Sequence, residues 1–308
     1  PFPDVDLEVG SSTHAQQTAE IMRRFEPVVL EHNPDAILVV GDVNSTIACA
    51  LVAAKLGAKI VHVEAGLRSF DRTMPEEINR VLTDAISDLL FVTEPSGLVN
   101  LKQEGIDGTK VHFVGNVMID TLELHREKAS NSRILDELNL QAGQYGVVTL
   151  HRPSNVDQHQ ALIRILNALA EIQKEIKIVF PIHPRTYKQL VSNGLVQRTK
   201  DLPNMLLIEP LGYLDFLKLM SDAKVVITDS GGVQEETTII GIPCLTVREN
   251  TERPITITEG TNILVGTDTN RIVGGYHESL SKARPYTRPK FWDGKASERI
   301  VRILLNCL

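Results

Sequence analysis

The chain is 308 residues long, 42% hydrophobic and 23% charged, with 20 Gly and 15 Pro. That composition excludes disordered and fibrous classes, and the length allows two cores, since domains run to roughly 100–200 residues each. With 32 Lys and Arg against 39 Asp and Glu, a net charge of -7 and no basic run, the chain lacks the footprint of a nucleic-acid binder.

In chain order, short apolar β-branched runs at 36–40, 59–63, 89–92 and 111–114 alternate with helix-period stretches near 14–32, 44–56, 76–87 and 95–104. The alternation predicts parallel strands buried on both faces by crossover helices, an α/β fold. The stretch 127–144 is polar and carries no strand pattern, so the domain junction is placed there, giving a first domain of residues 1–144 and a second of 145–308. Second-domain strands are expected at 146–150, 176–180, 205–208, 225–228 and 243–247, and a last helix near 293–308 is expected to pack back on the first domain. Two doubly wound Rossmann-like domains should then face each other across a cleft, with ligands beyond the C-terminal strand ends. Cys49, Cys244 and Cys307 lie in apolar stretches without ligand-like spacing. They read as buried free thiols, and with no signal peptide or membrane-length apolar run they predict a cytoplasmic protein.

Polar residues follow the strands. Gly41-Asp42-Val43-Asn44 puts Asp42 at a strand tip before a helix, where Asp42 or Asn44 could equally serve as a cap. The next strand ends in His62-Val63-Glu64-Ala65-Gly66-Leu67-Arg68; alternation gives His62 and Glu64 the same facing, and Glu64 needs either a task or a salt bridge to Arg68. Pro75 suits a helix start, with Glu76 and Glu77 at the positive end of its dipole. Neighbours on a helix point about 100° apart, so one of the two acids can face a cleft.

Later, Thr149-Leu150-His151-Arg152-Pro153 sets His151 and Arg152 at a strand tip, and Asp229-Ser230-Gly231-Gly232-Val233-Gln234-Glu235-Glu236 runs from a strand into a helix. Glycines there let backbone approach a ligand, and the helix N-terminus offers free N–H groups to a phosphate. Neither a Walker loop nor a Gly-x-Gly-x-x-Gly dinucleotide site is present. Glu236, one turn into the helix, is suited to ribose hydroxyls.

These segments, with Pro75-Glu76-Glu77-Ile78-Asn79-Arg80 and Thr251-Glu252-Arg253-Pro254, resemble the non-hydrolysing UDP-N-acetylglucosamine 2-epimerases over nearly the whole chain and in the family's order. The resemblance implies the two-domain glycosyltransferase-B type of fold, with UDP on the second domain and the sugar in the interdomain cleft. Asp42, Glu64, Glu76 and His151 would be the catalytic set. Ser230, Gly231 and Gly232 would hold the diphosphate, Glu236 the ribose, Phe216 with the loop at Leu211 the uracil, and Arg253 a further part of the substrate. The family also implies a homodimer with a second, activating UDP-N-acetylglucosamine, for which His183 and Arg152 are candidate contacts, and supply of cell-surface polysaccharide precursors.

Two departures stand out. The family opens with a strand and a Gly-Thr-Arg-Pro-Glu loop followed by a lysine, whereas this chain starts beyond that point at Pro1. The first sheet is therefore expected to lack its N-terminal strand and to show a vacancy or raw edge at 36–40 and 59–63. Leu211 stands where some relatives carry a polar residue. The implied chemistry is elimination of UDP and its re-addition, with two proton-transfer groups, Glu76 and either Asp42 or Glu64, and no metal or redox cofactor. A hydrolysing epimerase would let water capture the intermediate and release N-acetylmannosamine. A glycosyltransferase of the same fold would need an acceptor and not several first-domain acids, and a UDP-sugar sensor would need no catalysis.

Overall fold

The computed structural model describes residues 3–281 and 287–308. Its first compact unit runs through Val117 and takes in Lys295–Leu308; its second is Met118–Gly294. In chain order the first unit contains α1 (His14–His32), β1 (Ala36–Val40), α2 (Asn44–Leu56), β2 (Lys59–Ala65), α3 (Pro75–Ile86), β3 (Leu89–Val92), α4 (Pro95–Gln103) and β4 (Val111–Phe113). The strands form one parallel sheet in the order β1-β2-β3-β4. Every residue of β3 is buried, as a strand covered on both faces requires. β1 departs from that pattern. Ile37 and Val39 are buried but Leu38 and Val40 are 48% and 46% exposed. It pairs directly with β2 in the register Ala36↔Lys59 to Val40↔Val63, so no vacancy separates the two and β1 is the edge of the sheet.

The second unit opens with α5 (Val117–Ser130) and α6 (Ile134–Glu137), followed by β5 (Tyr145–Thr149), α7 (Pro153–Val156), α8 (His159–Ile172), β6 (Lys177–Pro181), α9 (Pro184–Ser192), α10 (Val196–Lys200) and β7 (Met205–Ile208). It continues through α11 (Tyr213–Ser221), β8 (Val225–Thr228), α12 (Gly231–Ile240), β9 (Cys244–Thr246), α13 (Ile255–Thr258), β10 (Asn262–Leu264) and α14 (Thr269–Ser281). Six parallel strands lie in the order β10-β9-β8-β5-β6-β7. From β5 the chain builds outward one way through β6 and β7, and from β8 the other way through β9 and β10. The boundary between β5 and β8 is thus the topological switch point, the place where open α/β sheets bind ligands.

The polar stretch 127–144 is not a linker. Ile119, Leu122, Ala129 and Ile134 of α5 and α6 are buried with Tyr145, Val147 and Trp292 in one cluster, so the division falls at Val117 and not near residue 144. The last helix, α15 (Ala296–Cys307), belongs to the first unit: Ile300 is buried against Val61, Val63, Leu89, Phe91 and Val114. Lys59 Nζ donates to the Cys307 carbonyl at 3.0 Å and Arg299 to the Val114 carbonyl at 2.9 Å. Among the described residues no helix is long and apolar enough to cross a membrane.

The end of β2 is tightly constrained. Gly66 has φ +81°, and a Cβ there would lie 2.6 Å from the Gly97 carbonyl oxygen of α4. Gly57, which ends α2 at φ +78°, has nothing within 4 Å of the same position. Gly57→Ala should therefore cost the left-handed penalty alone, about 1–2 kcal/mol. Gly66→Ala adds a backbone collision and should cost about 3 kcal/mol or more, read as a larger fall in the chemical-denaturation midpoint. Equal shifts would show that the Gly66–Gly97 contact is not tight.

Candidate active site

In the first unit the strand tips carry the predicted acids. Asp42 follows β1, and its carboxylate is ion-paired with the buried Arg80 of α3, while its carbonyl accepts from Asn79 Nδ2 at 2.9 Å. Neither Asp42 nor Asn44 caps α2: the N-cap is Val43, without a side-chain bond, and Asn44 bonds Gln17 at 2.7 Å. Glu64 lies at a register shift between Val63 and Ala65 and adopts φ +72°, a left-handed conformation costly for a residue with a side chain. The shift interrupts the strand alternation that would give Glu64 the facing of His62. Its Oε2 is 3.8 Å from where a Cβ on Gly41 would stand, which puts the carboxyl beside the β1 tip.

His62 is fully buried, with Nδ1 2.6 Å from Asp84 and Nε2 2.9 Å from the Gly41 carbonyl. Asp84 also accepts from the Gly66 N–H at 3.0 Å and pairs with Arg68 at 2.7 Å. Burial works against its charge, but His62 and Arg68 hold its carboxyl below the ordinary value. Arg68 turns to Asp84 and, at 2.6 Å, to Glu104.

Glu76 and Glu77 separate as their 100° spacing requires. Glu77 is 2% exposed and accepts from the Ser69 N–H (2.9 Å), the Phe70 N–H (2.8 Å) and Arg80 Nη2 (2.7 Å). Burial pushes its carboxyl up, but the Ser69 N–H, Arg80 and the Phe70 N–H outweigh that and hold it below the ordinary value. Glu76, half-buried, stands outside this network.

In the second unit His151 follows β5 and the turn at Ser230 follows β8, so they flank the switch point. Asp229, fully buried, joins them. Its carboxylate accepts from the His151 N–H at 3.1 Å, the Arg152 N–H at 3.0 Å and Asn155 Nδ2 at 3.1 Å, and lies 3.0 Å from His151 Nδ1. That contact fixes the ring and leaves Nε2 available to a ligand. Ser230 is the N-cap residue of α12, but its side chain makes no cap bond. A Cβ on Gly231 would lie 2.7 Å from Arg253 Nη1, so a larger residue there requires that guanidinium to shift. Arg253 is held by Glu235 at 2.6 Å and Glu252 at 2.5 Å.

Glu236 is 4% exposed, and burial pushes its carboxyl up to about 7, opposed by a 2.9 Å hydrogen bond from the Tyr213 hydroxyl and assisted by the neighbouring Glu235. Leu211 and Phe216 are partly buried against the core cluster that contains Leu217 and Met220. His183 is the N-cap of α9, its Nδ1 accepting from the Arg185 N–H at 3.1 Å, and its ring centroid is 5.7 Å from that of His151. Burial and the neighbouring His151 lower its pKa.

Sequence reasoning did not single out Asp229, Tyr213, Arg80, Asp84 or Glu252 as working residues. Asp229 carried the same signal as Asp42, an acid at a strand tip. The others reveal themselves through tertiary partners.

The family model described as UDP-N-acetylglucosamine 2-epimerase matches residues 1–305. The UDP-N-acetylglucosamine 2-epimerase of Methanocaldococcus jannaschii is 45% identical over 309 residues, covering 99% of this chain and 84% of that protein. The UDP-2,3-diacetamido-2,3-dideoxy-D-glucuronate 2-epimerase of Pseudomonas aeruginosa is 40% identical with the same coverage, 99% and 84%. The crystal structure of the M. jannaschii enzyme in complex with UDP-GlcNAc and UDP superposes with a TM-score of 0.94 at 43% identity, covering 99% of this chain and 85% of that one. By its motifs, its fold and these likenesses, the chain belongs to the UDP-N-acetylglucosamine 2-epimerase family.

Proposed function

We propose that the chain interconverts UDP-N-acetylglucosamine and UDP-N-acetylmannosamine without net hydrolysis. The observation that carries this is the glycine turn opening α12 at the switch point of the second sheet, with His151 at the adjacent strand tip. It is a cradle for a diphosphate next to a group able to stabilise a leaving phosphate. The proton on C2 of the sugar is not acidic enough for direct exchange. Elimination avoids that barrier: a base takes the C2 proton, the C1–O bond breaks with its electron pair going to UDP, and a C1=C2 double bond forms. Protonation of C2 from the opposite face, with UDP adding back to C1, completes the inversion.

Glu76 and either Asp42 or Glu64 serve as the two proton-transfer groups. His151 stabilises or protonates the departing phosphate. Ser230, Gly231 and Gly232 hold the diphosphate, Arg253 adds a contact, Glu236 binds the ribose, and Phe216 with the Leu211 loop binds the uracil. A homodimer, activation by a second UDP-N-acetylglucosamine through His183 and Arg152, and a cytoplasmic location complete the reading. Of the three cysteines expected to be buried thiols, Cys244 is buried, whereas Cys49 is half-buried and Cys307, in the last turn of α15, is exposed.

The Pseudomonas relative favours a second reading, in which the sugar is a diacetamido uronate. Both substrates should be followed by NMR in deuterated water. The expected result is UDP-N-acetylmannosamine with one solvent deuterium at C2 and no free sugar; accumulation of N-acetylmannosamine and UDP would establish the hydrolysing alternative. Turnover of the uronate alone would establish the second reading.

Glu76→Gln should leave the melting temperature unchanged and lower kcat by about 10²-fold or more. Glu77→Gln, which removes one of the two carboxylates paired with Arg80 and leaves one acceptor oxygen for two loop N–H groups, should instead destabilise the fold by about 3 kcal/mol. An active Glu76→Gln protein would remove Glu76 from the mechanism.

Glu236 generates a pH prediction. Below about 7 its carboxyl is protonated; above it, the carboxylate accepts from both ribose hydroxyls through stronger, charge-assisted bonds. Uridine, which has no phosphate to titrate, should bind about fivefold more tightly at pH 8 than at pH 6, with proton release at intermediate pH. The Glu236→Gln protein should show a flat profile.

A further inference from the structure

Four charged side chains crowd the floor of the α12 turn. Glu252 is 1% exposed, and its carboxylate meets Arg248 Nη2 at 2.7 Å, Arg253 Nη1 at 2.5 Å and Arg152 Nη2 at 3.5 Å. The same carboxylate and the Arg253 guanidinium both touch the space above Gly231, at 3.1 and 2.7 Å from the position of a Cβ. Thr251 ties the segment to α12 by donating to Gln234 Oε1 at 2.9 Å. Burial opposes the charge on Glu252, yet Arg253, Arg248 and Arg152 hold its carboxyl well below the ordinary range, so it is an anion throughout the working pH range.

We propose that Glu252 is a positioning residue for the diphosphate cradle: one buried carboxylate gathers Arg152, Arg248 and Arg253 under the turn and fixes the Arg253 guanidinium against Gly231. The inference rests on the reading that this turn holds the diphosphate. Stability alone is a poor reason for such a cluster, because the desolvation of buried ions cancels most of their attraction. Orientation is a better one. Arg253 also contacts Glu235 at 2.6 Å, and without Glu252 its charge would be drawn to that side. A guanidinium fixed in place binds phosphate oxygens with less ordering to be done on binding.

The test compares UDP with uridine by calorimetry on the full chain, since the two differ in the diphosphate. Glu252→Gln should weaken UDP about tenfold or more and leave uridine within about twofold, which also shows that the variant is folded. Glu252→Asp keeps the charge but withdraws it by one methylene, and should show the same selective loss at about threefold. If the glutamine variant does not fold, the aspartate variant decides by the same criterion. Parallel weakening of both ligands, or unchanged UDP affinity in a folded variant, would overturn the proposal. An unmodified chain that binds uridine but not UDP would overturn both this inference and the reading of the turn on which it rests.

Discussion

A carboxylate taken out of water must be filled with donors, or it will not stay charged. Four buried acids meet that demand here, and each thereby ties together segments distant in sequence. Asp84 joins His62, the Gly66 backbone and Arg68; Glu77 joins the 69–70 loop to Arg80. Asp229 draws in the backbone of His151 and Arg152, and Glu252 holds three arginines. Half-buried polar groups hang from these knots: Asp42 is paired with Arg80, itself held by Glu77, and the His151 ring lies against Asp229. Parallel strands bring the loops to one end of each sheet, but the saturated carboxylates give those loops a single shape.

The contrast among the acids follows from the same rule. Glu77 and Glu252 are surrounded by N–H groups and guanidinium, and their charge is favoured. Glu236 has one hydroxyl donor and an acidic neighbour, and its charge is disfavoured. With a single donor, the Tyr213 hydroxyl, Glu236 keeps room to accept further hydrogen bonds, and this sets it apart from Glu77 and Glu252.

Much of this was legible in the sequence, because strand tips announce themselves. The runs at 36–40, 89–92, 205–208 and 225–228 coincide with β1, β3, β7 and β8. Asp42 follows β1 and the Ser230 turn follows β8, as the pattern of polar residues after apolar runs predicts. β10 escaped notice because it has three residues and begins with an asparagine buried for its hydrogen bonds to α12. The domain division was placed too late because α5 is polar over most of its surface, and only Ile119, Leu122 and the small Ala129 mark the face it buries. Supporting residues were harder still. Glu77 looks like any acid in a first helical turn, and nothing local distinguishes bonding back to Ser69 and Phe70 from favouring a helix dipole.

Gly231 is buried at an ordinary φ, so its constraint is spatial and not conformational. The volume a methyl group would take is already occupied by the Arg253 guanidinium, 22 positions further on. The two positions therefore behave as one unit of variation. An engineer who enlarges residue 231 must also displace or shorten the side chain at 253. Within any set of related chains, a non-glycine at the first position should coincide with the loss of arginine at the second, a correlated pair readable from sequences alone.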